Sequence, residues 1–395
     1  MRLLTITADY PPAPFYSVGR YVSELNRALA QEADMEAHVV YWGGNGEAGC
    51  RKQDGVIVHA ADCALPVRPL DWVGEVVLRN VPLAEKACEV VRGRGPFDLV
   101  CLHDWYGVLA GRAVASAFGL PAVLFVHHTE VARRENRLSP AELYVAELEA
   151  WAAGWARAIV AASSSVREEL HRIYRIPRGK VTVIHGRAAP EAFTINENLK
   201  DFRSILADPE QAVVLYVGSL TPPKGPDILL KAMQEVGDQH PEAKLVVVGD
   251  GLLRAELAKW AEELGVPALF TGQLQDRALA ATYRCADVVV VPGRYEPTGM
   301  AAIDAMAYAK PVVVSDVGCL SEIVPGGAGL RVAAGEPHRL AEAICRILDD
   351  PEAAQAMGAF GAKHAASLTW SGAAKRLRRL LERLKVDRRM LASSG

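Results

Sequence analysis

The sequence predicts an α/β protein built of two doubly wound, Rossmann-like domains, and three observations predict it. The chain has 395 residues, more than the roughly 250–300 at which a single core stops growing. Short runs rich in Val, Leu and Ile alternate along it with amphipathic stretches, the pattern of strand–helix–strand units around a parallel sheet. The pattern then starts again near residue 211, after a polar stretch (195–208) without a strand signal.

Taken in order, the first half offers strands at residues 3–7, 38–41, 99–102, 122–126, 158–161 and 181–184. The second half offers 212–217, 244–248, 268–271, 288–291 and 311–314. Each run is too short for a helix and apolar on both faces, as a strand between two helix layers must be. Helical periodicity lies between them, for example over 142–155 and 254–264. The expected division is 1–195, 196–370, and a C-terminal helix and tail at 371–395 packing back across the domains. Gly43-Gly44-Asn45-Gly46 reads as a loop, because no suitable helix pattern follows it.

Composition narrows the class. Half of the residues are apolar and 23% are charged, which is ordinary for a globular chain and excludes a disordered one. A net charge of −3 gives no reason to expect nucleic acid. Seven cysteines at irregular spacing form no disulfide framework and fit a reducing, cytoplasmic setting. The apolar run at the start is too short for a signal peptide and reads as the first strand. No stretch approaches the 18 or so apolar residues of a membrane span. Residues 375–389 carry eight basic and two acidic side chains, with Leu377, Leu380, Leu381 and Leu384 as a helical stripe. That stripe reads as a packing face, or as a weak peripheral contact with anionic lipid.

In doubly wound sheets ligands bind beyond the carboxyl ends of the strands, and the unusual residues stand there. The segment RYEPTGM (294–300) follows a strand and opens a small-residue helix. Backbone N–H groups near Thr298, Gly299 and Met300 suit an anion. Glu296 on the loop and Asp304 eight residues later can each accept two hydroxyl hydrogens, the way proteins hold sugars and riboses. The bland reading is that Glu296 merely caps the helix. GSLTPPKG (218–225) places Lys224 as a point charge for phosphate. LHDWYG (102–107) and FVHHTE (125–130) put histidines after buried strands. In SSSVREEL (163–170) the serines look like helix caps. No Asp-x-Asp triplet and no His/Cys cluster with metal spacing is present, so no metal is expected.

Together these segments resemble the retaining family-4-type glycosyltransferases of the GT-B fold, and are closest in motif to glycogen and starch synthases. The resemblance runs over about residues 1–370 and is stronger in the second half. It implies an active site in the cleft between an acceptor-side first domain and a nucleotide-sugar-binding second domain. It implies that Glu296 serves the donor sugar, Asp304 the nucleotide ribose, Lys224 the leaving diphosphate and His127 the face of the donor sugar. Gly19, Gly218 and Ser219 fall in the diphosphate loops; Gly249, Thr271, Gly272 and Leu274 fall near the base. The chain departs from the family pattern where Tyr16 and Ser17 replace glycines, Ser219 replaces an arginine, and Asp304 replaces a glutamate. Arg294 or Arg20 is the candidate to supply the missing charge. The implied activity is transfer of a hexose, glucose, from ADP- or UDP-glucose to a saccharide acceptor, without cofactor or metal. The alternatives are a nucleotide-sugar or glycan-binding protein without catalysis, and a nucleotide-sugar epimerase on the same fold.

Overall fold

The computed structural model describes residues 1–11, 17–44, 49–65, 71–186, 199–274 and 276–393. The chain divides into two compact units, one formed by residues 1–185 with 370–395, the other by residues 186–369.

The first unit holds eight strands: β1 (Arg2–Thr7), β2 (Glu36–Gly43), β3 (Gly49–Gln53), β4 (Val56–Asp62), β5 (Leu99–His103), β6 (Ala122–Val126), β7 (Ala158–Ala161) and β8 (Val181–Val183). They lie in the order β3-β4-β2-β1-β5-β6-β7-β8. All pairs are parallel except β3 with β4. Neither β3 nor β4 is among the strands expected from the sequence. The reason for β3 is physical: Gly49–Gln53 is a mostly exposed, polar edge strand with no apolar run. Asn45 and Gly46 lie outside the described residues; the glycine run begins at the end of β2, and the next element is a strand.

The second unit holds β9 (Ala212–Val217), β10 (Ala243–Val248), β11 (Ala268–Gly272), β12 (Val288–Val291), β13 (Val312–Ser315) and β14 (Gly329–Val332). The order is β11-β10-β9-β12-β13-β14, with every pair parallel. β14 was not expected from the sequence; Gly329 and Arg331 alternate with its two apolar residues, so it shows no unbroken apolar run. Alternate residues feed opposite cores. Val213, Leu215, Val289, Val291, Val312 and Val314 pack into one helix layer, and Val214, Tyr216, Val288, Val290 and Val313 into the other. This two-sided burial is why the strands read as unbroken apolar runs.

Both sheets reverse direction at one place, between β1 and β5 in the first and between β9 and β12 in the second. Loops diverge at such switch points and leave a crevice for ligands. Helix caps follow the local sequence. Ser163 accepts from the Val166 N–H at 3.2 Å, and Ser139 with Glu142 forms a reciprocal capping box. The last helix, Trp370–Ser393, packs on the Ser17–Ala30 helix. Leu377, Leu381 and Leu384 are buried in that packing, and Lys385 pairs with Asp98 at 2.8 Å. Three of the four leucines of the stripe therefore face protein. Among the described residues no helix is long and apolar enough to cross a membrane.

Candidate functional site

In the second unit the loops after β9 and β12 meet at the switch point. After β9 comes a short 3-10 turn, Pro222–Lys224, ended by Gly225. Gly225 has φ +64°, and a Cβ there would run into the Pro292 carbonyl, so glycine lets the two loops touch. They are also stitched together: the N–H groups of Arg294 and Tyr295 both donate to the Pro223 carbonyl, at 2.8 and 3.0 Å. The stitching sets Lys224 opposite Glu296. Lys224 Nζ lies 2.6 Å from Glu296 Oε2, with the lysine partly exposed and the carboxylate buried.

The loop bearing Glu296 is held from behind. Cys319 N–H donates to the Glu296 carbonyl at 3.0 Å, and Gly318, at φ +56°, leaves no room for a Cβ against that carbonyl. Gly299 (φ +63°) precedes the Met300–Ala307 helix as expected, but its N–H is not turned to an external anion. It donates to Glu296 Oε1 at 3.0 Å. Glu296 thus caps the helix with one oxygen, as the bland reading of the sequence has it, and meets Lys224 with the other. Thr298, Met300 and Asp304 are buried along this turn and helix.

Gly218, Gly249 and Gly272 form a second cluster at the ends of β9, β10 and β11. Gly218 N–H donates to the Val248 carbonyl at 3.0 Å, and Gly249 N–H to the Gly272 carbonyl at 2.9 Å. Gly249, at φ +140°, would drive a Cβ into the Gly218 carbonyl. Thr271 Oγ1 donates to the Gly272 carbonyl at 2.9 Å, and Leu274 packs at the edge of the core. Ser219 stands 3.4 Å, oxygen to oxygen, from Thr221, and its carbonyl accepts from the Tyr216 hydroxyl at 2.8 Å.

One expectation changes here. Arg294 was a candidate to replace the charge missing at Ser219, yet its guanidinium grips Asp227 with both nitrogens, at 2.8 and 2.6 Å, and also donates to the Pro222 carbonyl at 2.9 Å. Burial raises the Asp227 carboxyl, but the Arg294 hydrogen bonds and charge outweigh it and hold it below its usual range. The fork is committed to bracing the loop rather than to a ligand.

In the first unit, His127 directly follows β6 and is buried. Its Nε2 lies 3.0 Å from His103 Nδ1, and its Nδ1 has no hydrogen-bond partner. Burial holds the imidazole down to about 3, so it is neutral at physiological pH. Its backbone N–H donates to Asp104 Oδ1 at 2.8 Å. Asp104 is buried at the end of β5 with φ +51°, and burial lifts its carboxyl to about 7 against the opposing pull of the His127 and His128 N–H groups. Gly19 lies in the Ser17–Ala30 helix, where a Cβ would press on the Asp9 carboxylate. Tyr16 lies outside the described residues, as do the hinge positions 187–190. Arg20 lies in the Ser17–Ala30 helix. Sequence reasoning missed Tyr21, Asp227 and the His103 partner of His127; of these only His103 carried a signal, as the first residue of the His-Asp-Trp segment. Among the described residues, no three His, Cys, Asp or Glu side chains gather so as to hold a metal ion.

The model of the family described as "Glycosyl transferases group 1" matches residues 197–364, and that described as "Glycosyltransferase Family 4" matches residues 18–186. D-inositol 3-phosphate glycosyltransferase 1 of Catenulispora acidiphila is 32% identical over 342 residues, covering 82% of this chain and 80% of that protein. Glycogen synthase of Mycobacterium tuberculosis is 28% identical over 373 residues, covering 90% of this chain and 88% of that one. Among solved structures, sucrose-phosphate synthase of Thermosynechococcus elongatus shares the fold at a TM-score of 0.83 and 23% identity, over 98% of this chain and 100% of that one.

Proposed function

The chain belongs to the glycosyltransferases of group 1 and family 4, with the GT-B fold, and from that premise we propose that it transfers a hexose, glucose, from ADP- or UDP-glucose to a saccharide acceptor with retention of configuration. The observation that carries this reading is the Lys224–Glu296 pair at the switch point of the second sheet, 2.6 Å apart.

In the proposed reaction the bond from the sugar's C1 to the diphosphate oxygen breaks through an oxocarbenium-like state. A new bond forms from the acceptor oxygen to the same face of C1, and the acceptor's proton passes to the leaving diphosphate. Negative charge grows on that diphosphate, and Lys224 is placed to meet it. Glu296 accepts hydrogen bonds from ring hydroxyls, and Asp304 from the ribose. His127, being neutral, serves as a hydrogen-bonding group rather than a charge. Gly218 and Ser219 border the diphosphate, and Gly249 with Thr271–Leu274 border the base. No metal has a part in these steps.

The test is a thermal-shift and nucleotide-release screen with ADP-glucose, UDP-glucose, GDP-mannose and UDP-N-acetylglucosamine, with and without a maltooligosaccharide and with chelator throughout. A shift with a glucose donor, release that needs the acceptor, and loss of release in Glu296→Ala support the reading. Proton NMR of the product then gives the anomeric configuration. A shift with no product under any acceptor makes the chain a binder; release or epimer without acceptor makes it an epimerase. A phosphorylated polyol acceptor is a second reading, carried by the identity to the inositol phosphate enzyme, and inositol phosphate in the acceptor panel separates the two.

A further inference from the structure

Tyr21, in the Ser17–Ala30 helix, gathers partners that are distant in sequence. Its hydroxyl donates to the Ile184 carbonyl at 3.0 Å. Its ring meets the His127 imidazole edge-on, with centroids 4.6 Å apart, and the Trp370 indole edge-on at 5.2 Å. All four residues are buried.

Ile184 and Trp370 have a common position in the chain. The polypeptide leaves the first unit after His185 and re-enters it at Trp370. Tyr21 therefore holds the residue just before the departing crossing and the first residue of the returning one. On the far side of the departing crossing stands Gly186, where a Cβ would run into the Met300 sulfur. Met300 opens the helix that follows Glu296 and Gly299.

His127 is open to such an influence. Only its Nε2 has a hydrogen-bonding neighbour, His103; Nδ1 is buried without one. One hydrogen bond leaves the imidazole a rotational freedom that the edge of the Tyr21 ring restricts, the preferred packing of two aromatic groups at this distance.

We propose that Tyr21 is a positioning residue that ties the orientation of the His127 imidazole to both segments of chain linking the two units. Displacement of either crossing then reaches His127 through one side chain. The inference rests on the reading of His127 as a contact of the donor sugar.

Two variants test it. Tyr21→Phe keeps the ring contacts and deletes the tether to Ile184. Trp370→Leu keeps the tether and deletes one ring contact, with Trp370→Phe as the conservative rescue. In the free protein, Tyr21→Phe is expected to speed amide exchange at residues 185–186 about tenfold and to move the His127 imidazole NMR signals. In turnover, both variants are expected to lower kcat about tenfold with donor KM within about twofold, and Trp370→Phe to recover most of it. A lowered melting temperature with unchanged kcat and unchanged His127 signals would overturn the proposal. If the wild-type protein transfers no sugar, the function proposed above fails on its own, while exchange and imidazole signals in Tyr21→Phe still decide the tether: unmoved, they overturn it.

Discussion

Lys224 and Glu296 are 72 positions apart in the chain and 2.6 Å apart in space, and the pairing decides how each can be tested. Removing one partner of a largely desolvated ion pair leaves the other without compensation, so a single substitution confounds stability with function. Lys224→Met is expected to lower the melting temperature by a few degrees, and Lys224→Met/Glu296→Gln to recover it. Transfer is expected to fall on the order of 100-fold or more in Glu296→Gln, in Lys224→Met and in the double variant, the usual scale for a lost charge-stabilising contact. Calorimetry and steady-state kinetics on the four proteins check this; a double variant that regained activity with stability would reduce the pair to a structural one.

The Arg294–Asp227 fork gives a prediction about the donor. It braces Pro222 against the loop after β12, and Lys224 rides on that brace. Asp227→Asn keeps the shape and removes the charge, so donor KM is expected to rise about three- to tenfold with a smaller change in kcat. Initial rates against donor concentration measure it.

Glycine substitutions separate site geometry from general tolerance. Gly318→Ala forces a side chain into the left-handed region and against the Glu296 carbonyl, at a cost of about 1–3 kcal/mol together with loss of transfer. Gly237→Ala, inside the Pro226–Gln239 helix with open space around the new methyl group, is expected to stabilise by about 0.4–1 kcal/mol and leave activity unchanged. Denaturant titration of both reads the contrast.

Stability should pass through a maximum near pH 6.5. Burial holds His127 at about 3 and, with the nearby His38, holds His59 at about 4; it also lowers His38 and His103. The unfolded chain binds protons on these rings below about 6.5 while the folded one does not, so stability is lost as pH falls from there towards 4. Burial acts oppositely on Asp104 and Glu149, raised to about 7 and about 8. Their folded forms keep protons that the unfolded chain has released above about 4, which costs stability from there up to about 8. The histidine gain outweighs this loss below about 6.5 and ends there, so the net loss runs from about 6.5 through 8. Melting temperature from pH 4.5 to 8.5 gives the curve. Glu149→Gln should flatten its upper limb; an unchanged limb would contradict the assignment.

Much of the fold was legible because parallel strands buried on both faces write themselves as unbroken apolar runs, as in Val288–Val291. Two of the elements that escaped lack that signature: β3 is polar and exposed at an edge, and β14 alternates Gly329 and Arg331 with its two apolar residues; β4 carries an apolar run and was passed over all the same. The site was legible in part. Glu296 and Lys224 stand in segments whose Gly and Pro spacing resembles a known pattern, but nothing in that spacing says that Arg294 turns to Asp227, or that the Gly299 N–H is already taken by Glu296.

By itself, then, the sequence determined the alternation of strands and helices, the two-fold repetition of that pattern, and which loops carry the polar residues, because these follow from local periodicity and turn chemistry. Only the tertiary structure decided which distant residues meet. The order β11-β10-β9-β12-β13-β14 brings the ends of β9 and β12 side by side, and so Lys224 to Glu296. The packing of the last helix on the Ser17–Ala30 helix brings Trp370 to Tyr21. Such meetings are set by strand order and by the closing of the core around residues far apart in the chain, and neither leaves a periodic trace in any short stretch of sequence.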